Sequence, residues 1–254
     1  MIRTYRRLFS ASAAALALAL LAPVAQAASI SYGNFGPVAP GISFLNVTES
    51  SGTDPVPLYG APAPYVTGLD FDPTSFVASA TGGGADITDG QLNFTVMGQK
   101  DVAIGKIGLS EGGDYTLVGA GTAASQALAG AVIFVKVTEI DGSPVPAINL
   151  SPVNASVGYN LPANGGIVNP WSLSLLVDVG AQLTSMQVPF VLGATKAEVA
   201  INNSLIAISE PGSVAFIAKK DFVIDIVTVP EPGTLALAGL ALCGVGAASR
   251  RKRS

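Results

Sequence analysis

The chain has 254 residues, with 13 basic and 17 acidic side chains, one cysteine and no histidine. Without histidine there is no Ser-His-Asp triad, no Cys-His nucleophile and no histidine-ligated metal. A single cysteine leaves no disulfide framework or thiolate zinc site, and an acidic, sparsely charged chain argues against nucleic acid.

The N-terminus reads as a secretory signal peptide over residues 1–27. Arg3, Arg6 and Arg7 form a basic start, and Phe9 to Leu21 is an apolar run shorter than a spanning helix needs. Pro23 breaks the run, and Ala25-Gln26-Ala27 fits the small-x-small pattern cut by signal peptidase, which places cleavage after Ala27. Arg6-Arg7-Leu8-Phe9 half-matches a twin-arginine signal, with Tyr5 where that motif prefers Ser or Thr. From residue 28 to residue 229 there are 16 acids against six basic residues, all lysine, a net charge of −10.

That body, residues 28–228, is predicted to be all-β. Short runs of apolar alternation are separated by Gly, Pro, Asn and Asp, the signature of strands joined by turns. In chain order the candidates are Ile42 to Thr48, Val66 to Phe71, Gln91 to Val96, Val102 to Leu109 and Tyr115 to Val118. They continue through Val132 to Ile140, Trp171 to Val179, Ser204 to Ser209, Val214 to Ala218 and Phe222 to Ile226. Asp141-Gly142 after Ile140 is a hairpin signal. Ala123 to Ala131 is the one helix-friendly stretch. The pattern predicts a single β-sandwich, of which a jelly roll is one form. Two smaller β domains divided near Gly142 to Pro170 are the alternative.

Candidate chemistry in the body is limited to carboxylates and aromatic rings. Asp54 to Tyr65 holds four prolines and the rings of Tyr59 and Tyr65, a stiff connection that could present rings to a sugar. Asp70 and Asp72 would share one face of a strand, about 7 Å apart, a separation compatible with an inverting glycosidase. Asp86 and Asp89 flank a predicted turn and, like Asp70 and Asp72, could instead hold calcium. Glu111-Gly112-Gly113-Asp114 and Glu210-Pro211-Gly212 also read as turns, and Gly82-Gly83-Gly84 as a flexible one. Asn46, Asn93, Asn149, Asn154 and Asn202 each begin an Asn-x-Ser/Thr triplet, read as chance matches. Turn chemistry is the simplest account of the acids, so no catalytic residue, metal or cofactor is assigned. The leading expectation is a non-enzymatic surface or matrix domain suited to a neutral polysaccharide. A carboxylate-dependent glycoside-active enzyme and a calcium-stabilised carbohydrate-binding module are the alternatives.

The C-terminus, residues 229–254, has three parts. Val229-Pro230-Glu231-Pro232 places two prolines around an acid, which gives an extended, accessible segment. Residues 233–249 are 17 residues without a charge, about 25 Å as a helix and enough to cross a thin bilayer core. Arg250, Arg251, Lys252 and Arg253 would stay cytoplasmic by the positive-inside rule. Cys243 lies in the apolar run as a small apolar residue.

This order resembles the PEP-CTERM sorting signal of Gram-negative bacteria, a tail type also known as the ice-binding protein C-terminal domain. The resemblance implies recognition by an exosortase, cleavage near Pro230-Glu231-Pro232, a transient membrane anchor, and delivery of the body to the cell surface or outside. The second tail name says nothing of the body, which has no Thr-x-Thr array of the kind an ice-binding face needs.

Overall fold

The computed structural model describes residues 28–229. The predicted signal peptide with Ala25 and Ala27, the residues Pro230, Glu231 and Pro232, the apolar run 233–249 and the basic tail 250–254 lie outside the described residues. Among the described residues no helix is long and apolar enough to cross a membrane.

Among the described residues, alternating side chains fold into 13 strands. They are β1 (Ala28–Val38), β2 (Ile42–Ser51), β3 (Ala63–Tyr65), β4 (Gly68–Phe71), β5 (Val77–Thr81), β6 (Ala85–Gly98) and β7 (Ala103–Gly119). After these come β8 (Gln126–Ile140), β9 (Ser143–Asn149), β10 (Val153–Asn160), β11 (Gly166–Asp178), β12 (Ala194–Ile208) and β13 (Ser213–Val229). Two short helices, α1 (Leu161–Asn164) and α2 (Val179–Ser185), interrupt them. Every strand pair is antiparallel, in two sheets. Sheet A has the order β1-β2-β6-β12-β8-β10, with β9 added on β8; sheet B has the order β11-β7-β13-β4-β3, with β5 added on β13.

The two sheets share one hydrophobic core, as a β-sandwich does. Phe44, Leu92, Phe94 and Ile201 come from sheet A; Ile107, Leu117, Leu173, Phe222 and Ile224 come from sheet B. The period of two decides this face for each strand. On β11, Trp171, Leu173, Leu175 and Val177 are buried while Ser172 and Ser174 are exposed. Between β8 and β9, Asp141 (φ 51°) and Gly142 (φ 76°) both adopt the left-handed conformation that a two-residue hairpin turn requires.

Three local expectations are corrected. Ala123 to Ala131 is not helical: Gln126 onward is strand β8, whose inward Ala127, Ala129 and Ala131 pack small side chains into the core. Asp86 to Gly90 is not a turn but lies within β6. Glu111 to Asp114 is not a turn either; it lies in the middle of β7 with Glu111 buried. Its glycines serve interstrand approach. A Cβ on Gly113 would sit 1.9 Å from the Ala218 carbonyl oxygen, and one on Gly112 would sit 3.1 Å from that of Trp171.

Candidate functional site

The two outer faces of the sandwich differ in chemistry. Sheet A turns amides and hydroxyls outward in cross-strand rows. Thr95, Glu198, Lys136 and Asn149 form one row; Asn93, Ala200 and Phe134 form the next. Gln91, Asn202, Val132 and Asn154 follow, and then Asp89, Ser204, Gly130 and Ser156. Rows repeat about 7 Å along the strands and about 4.8 Å across them, so the face is a lattice of hydrogen-bonding groups.

Small residues in the middle make this lattice concave. Two adjoining hollows result, of ≈560 Å³ and ≈580 Å³. The first is lined by Asn46, Asn93, Thr95, Phe134, Asn149 and the Lys136–Glu198 pair among others; the second by Gln91, Gly130, Asn202 and Ser204 among others. Phe134 is 41% exposed and presents a ring at the first hollow. Asn46 reaches the rim from a bulge in β2, where its φ of 53° is held by its N–H donating to Asn34 Oδ1 at 2.8 Å. Asparagine tolerates that conformation better than most side chains. Gln91 Nε2 donates to Asn202 Oδ1 at 2.8 Å, which fixes both amides.

The trough is close to neutral within an anionic body. Lys136 Nζ and Glu198 Oε2 pair at 2.5 Å on its floor. Asp89 accepts from Gly52 N at 3.1 Å and Thr53 Oγ1 at 3.2 Å. The outer face of sheet B carries instead Asp70, Asp225 and the Lys220–Asp114 pair.

The residues singled out from sequence fall as follows. Tyr59 is wholly buried, its hydroxyl 2.9 Å from Asn203 Oδ1 and 3.0 Å from the Gly90 carbonyl oxygen. It is a core ring and cannot face a sugar with Tyr65, which is 47% exposed on β3. Burial drives its phenol well above the ordinary value, and Glu111, Glu49 and Asp89 add to the effect. Asp70 ends up on β4, but that strand stops at Phe71, so Asp72 lies beyond it. Loss of water raises the Asp70 carboxyl, and the charges of Asp72 and Asp221 raise it further. Asp86 accepts from Ser79 N at 2.8 Å. Among the described residues no group of three or more carboxylate, histidine or cysteine side chains is placed to hold a metal ion. Glu210-Pro211-Gly212 is a turn, closed by Ser213 N donating to the Glu210 carbonyl oxygen at 3.0 Å, while the Glu210 carboxylate accepts from Thr122 N at 2.5 Å and Ser125 Oγ at 2.9 Å. Val229 is the last residue of β13, paired with Ala103 of β7, so the final strand leads directly into Pro230.

Four of the five triplet asparagines, Asn46, Asn93, Asn149 and Asn202, line the hollows. Read as modification triplets they carried no signal; read as outward positions of strands they mark the amide face. Sequence reasoning did not find Phe134, Gln91 or the charge pair as parts of one surface.

No curated protein matches the chain. Matching solved structures include TmCBM61 in complex with β-1,4-galactotriose, at 12% identity over 76% of this chain and 87% of that one, TM-score 0.21. They also include the Trichoderma harzianum endoglucanase 3 of family GH12 (11% identity, 80% and 99% covered, TM-score 0.22). A third is the family 11 carbohydrate-binding module of Clostridium thermocellum with a mixed-linked tetrasaccharide (12%, 62% and 94%, TM-score 0.19). None of these likenesses bears on what this chain binds. The tail is a different matter: residues 228–253 match the model of the PEP-CTERM protein-sorting motif. That motif implies export and processing by exosortase in a Gram-negative bacterium. The chain thus carries a PEP-CTERM protein-sorting motif at its C-terminal end, with Val229-Pro230-Glu231-Pro232 at the start of the match.

Proposed function

We propose that this is a non-enzymatic exported protein whose body associates with a neutral extracellular polysaccharide through the outer trough of sheet A. The observation that carries the reading is the lattice of outward amides and hydroxyls around Gln91, Asn93 and Asn202, with the exposed Phe134 ring beside it. Neutral sugars offer hydroxyls that pair with amides, and apolar ring faces that cover an aromatic side chain. The charged groups of the trough are already partnered, and the net charge of the body repels a polyanion.

In this reading, signal peptidase cuts after Ala27 and the apolar run 233–249 holds the chain in the inner membrane. Arg250, Arg251, Lys252 and Arg253 stay on the cytoplasmic side. Exosortase then cuts near Pro230-Glu231-Pro232 and sends the body to the surface. β13 ends at Val229, immediately before Pro230, so in this reading the folded body stands next to the cleavage point.

The test is fractionation of the host expressing the full chain, a chain lacking residues 229–254, and a full chain with Gln91→Ala, Phe134→Ala and Asn202→Ala. The full chain is expected in processed form in the extracellular polysaccharide fraction. The chain without its tail is expected to remain unprocessed by exosortase, and the triple variant to be processed but wash free of polysaccharide. Unchanged processing without the tail would refute the sorting step. Equal retention of the triple variant would refute the trough.

A further inference from the structure

The core contains three polar side chains whose chemistry is complementary. Lys219 of β13 is 1% exposed and Glu111 of β7 is 3% exposed, both within sheet B; Asn203 of β12 reaches them from sheet A and is also buried. One carboxylate oxygen, Glu111 Oε2, accepts from Lys219 Nζ at 2.5 Å and from Asn203 Nδ2 at 2.7 Å. The amine and the carboxamide therefore meet at a single carboxylate. The Tyr59 hydroxyl lies 2.9 Å from the Asn203 carbonyl oxygen. Around the amine stand the rings of Phe76, Phe222 and Tyr59, with centroids 4.6, 4.9 and 5.6 Å away. Glu111 Oε1 is buried with no hydrogen-bond partner.

Lys219 points into the core in step with Ala215 and Ile217, while Lys220 points out. The register shift in β13 between Lys219 and Asp221 then resets the alternation, so that the next inward residue is Phe222, one of the rings around the amine, and not Asp221. A sandwich that needed only apolar filling would gain nothing from burying this pair, because desolvation offsets its attraction.

We infer that Lys219 and Asn203 join in a covalent amide bond, formed by the protein itself with Glu111 as the proton carrier, and that this bond ties sheet A to sheet B. Glu111 first takes a proton from the Lys219 ammonium, which leaves a neutral amine. The nitrogen lone pair attacks Cγ of Asn203, and the carbonyl π electrons move onto Oδ1, where the Tyr59 hydroxyl donates. The protonated Glu111 gives its proton to Nδ2, then takes one from the attacking nitrogen and yields it to the departing ammonia. The Cγ–Nδ2 bond breaks, the carbonyl reforms, and ammonia leaves. One amine and one carboxamide become one secondary amide and one ammonia; no oxidant or outside reactant is needed. Burial favours the first step, since it pushes the Lys219 ammonium down to about 8 against the pull of Glu111. The apolar surroundings keep out the water that would hydrolyse the amide instead.

Peptide mass spectrometry of the exported protein tests this. Trypsin cuts next to Lys196 and Lys220 but finds no other site before Lys219, so both partners fall in the peptide Ala197–Lys220. That peptide is expected uncut after Lys219 and lighter by one ammonia. Chymotryptic cuts after Leu205 and Phe216 are expected to leave the Asn203 and Lys219 segments joined. An Asn203–Lys219 peptide of unchanged mass, with the Lys219 amine free to react, would overturn the inference whatever the behaviour of variants. In Glu111→Gln the ammonia loss is expected to disappear; its persistence would remove Glu111 from the role assigned. Ammonia loss by cyclisation at Asn164-Gly165 falls in a different tryptic peptide and cannot be confused with it.

Discussion

Glu49 offers the sharpest stability experiment. It is wholly buried on β2, and no described cation pairs with it. Three donors hold it instead: the Tyr32 hydroxyl of β1 at 2.6 Å, the Leu58 N–H, and the Tyr59 N–H at 3.3 Å. The proline-rich connection between β2 and β3 is thus pinned to the end of the sandwich, and the pin is what sets Tyr59 into the core. Replacing Glu49 by Ala strands two buried N–H groups and one partly buried phenol. Each stranded buried group costs about 1–3 kcal/mol, which gives about 4 kcal/mol in all. For a body of this size that is a fall in Tm of about 8–16 °C. Glu49→Gln keeps one acceptor oxygen for the backbone and can still meet Tyr32, so about 1 kcal/mol is expected. Tyr32→Phe removes only the phenol bond and belongs in the same small range. Calorimetry of the three variants gives the values, and limited proteolysis between Gly52 and Pro62 reports the loosened connection. Glu49→Ala melting within about 1 kcal/mol of the parent would refute the reasoning.

Other outcomes follow from the same structure. Burial pushes the Asp141 carboxyl up, but the N–H groups of Gly193, Val191 and Leu192 together outweigh it and hold it below the ordinary carboxylate value. A depressed folded value means stability that is complete above the unfolded value and lost as pH falls through the folded one. Asp141→Asn should therefore melt below the parent at neutral pH, with the gap closing in acid; a gap independent of pH would contradict it. Gly113→Ala should lower Tm by several degrees or prevent folding, because its Cβ would meet the Ala218 carbonyl oxygen at 1.9 Å. By contrast, Gly142→Ala meets no atom within 4 Å and strains only a left-handed turn, so about 1–2 kcal/mol is expected by urea titration.

Most of the strand content was legible because it rests on a local period. Trp171 to Val177 and Phe222 to Ile226 bury alternate residues as their sequences require. Asp141-Gly142 was legible because its turn type demands those residues. Glu111-Gly112-Gly113-Asp114 misled, since acids beside glycines ordinarily mark turns. Here the acid has a buried partner 108 residues away in Lys219, and the glycines admit β11 and β13. Tyr59 misled for a related reason: a proline-rich segment reads as surface, and nothing local shows that Glu49 will draw it inward. The trough was hidden because its lining comes from β2, β6, β8, β9, β10 and β12, and only the pairing register places Gln91, Phe134 and Asn202 on neighbouring rows.

Affinity electrophoresis of the exported protein through gels containing neutral polysaccharide from the host tests the central claim most directly. The account predicts retardation of the parent protein. In Phe134→Ala, retardation should weaken about tenfold in apparent Kd, with a Tm close to the parent's because Phe134 is a surface ring. Equal mobility of parent and variant at every polysaccharide concentration would contradict it.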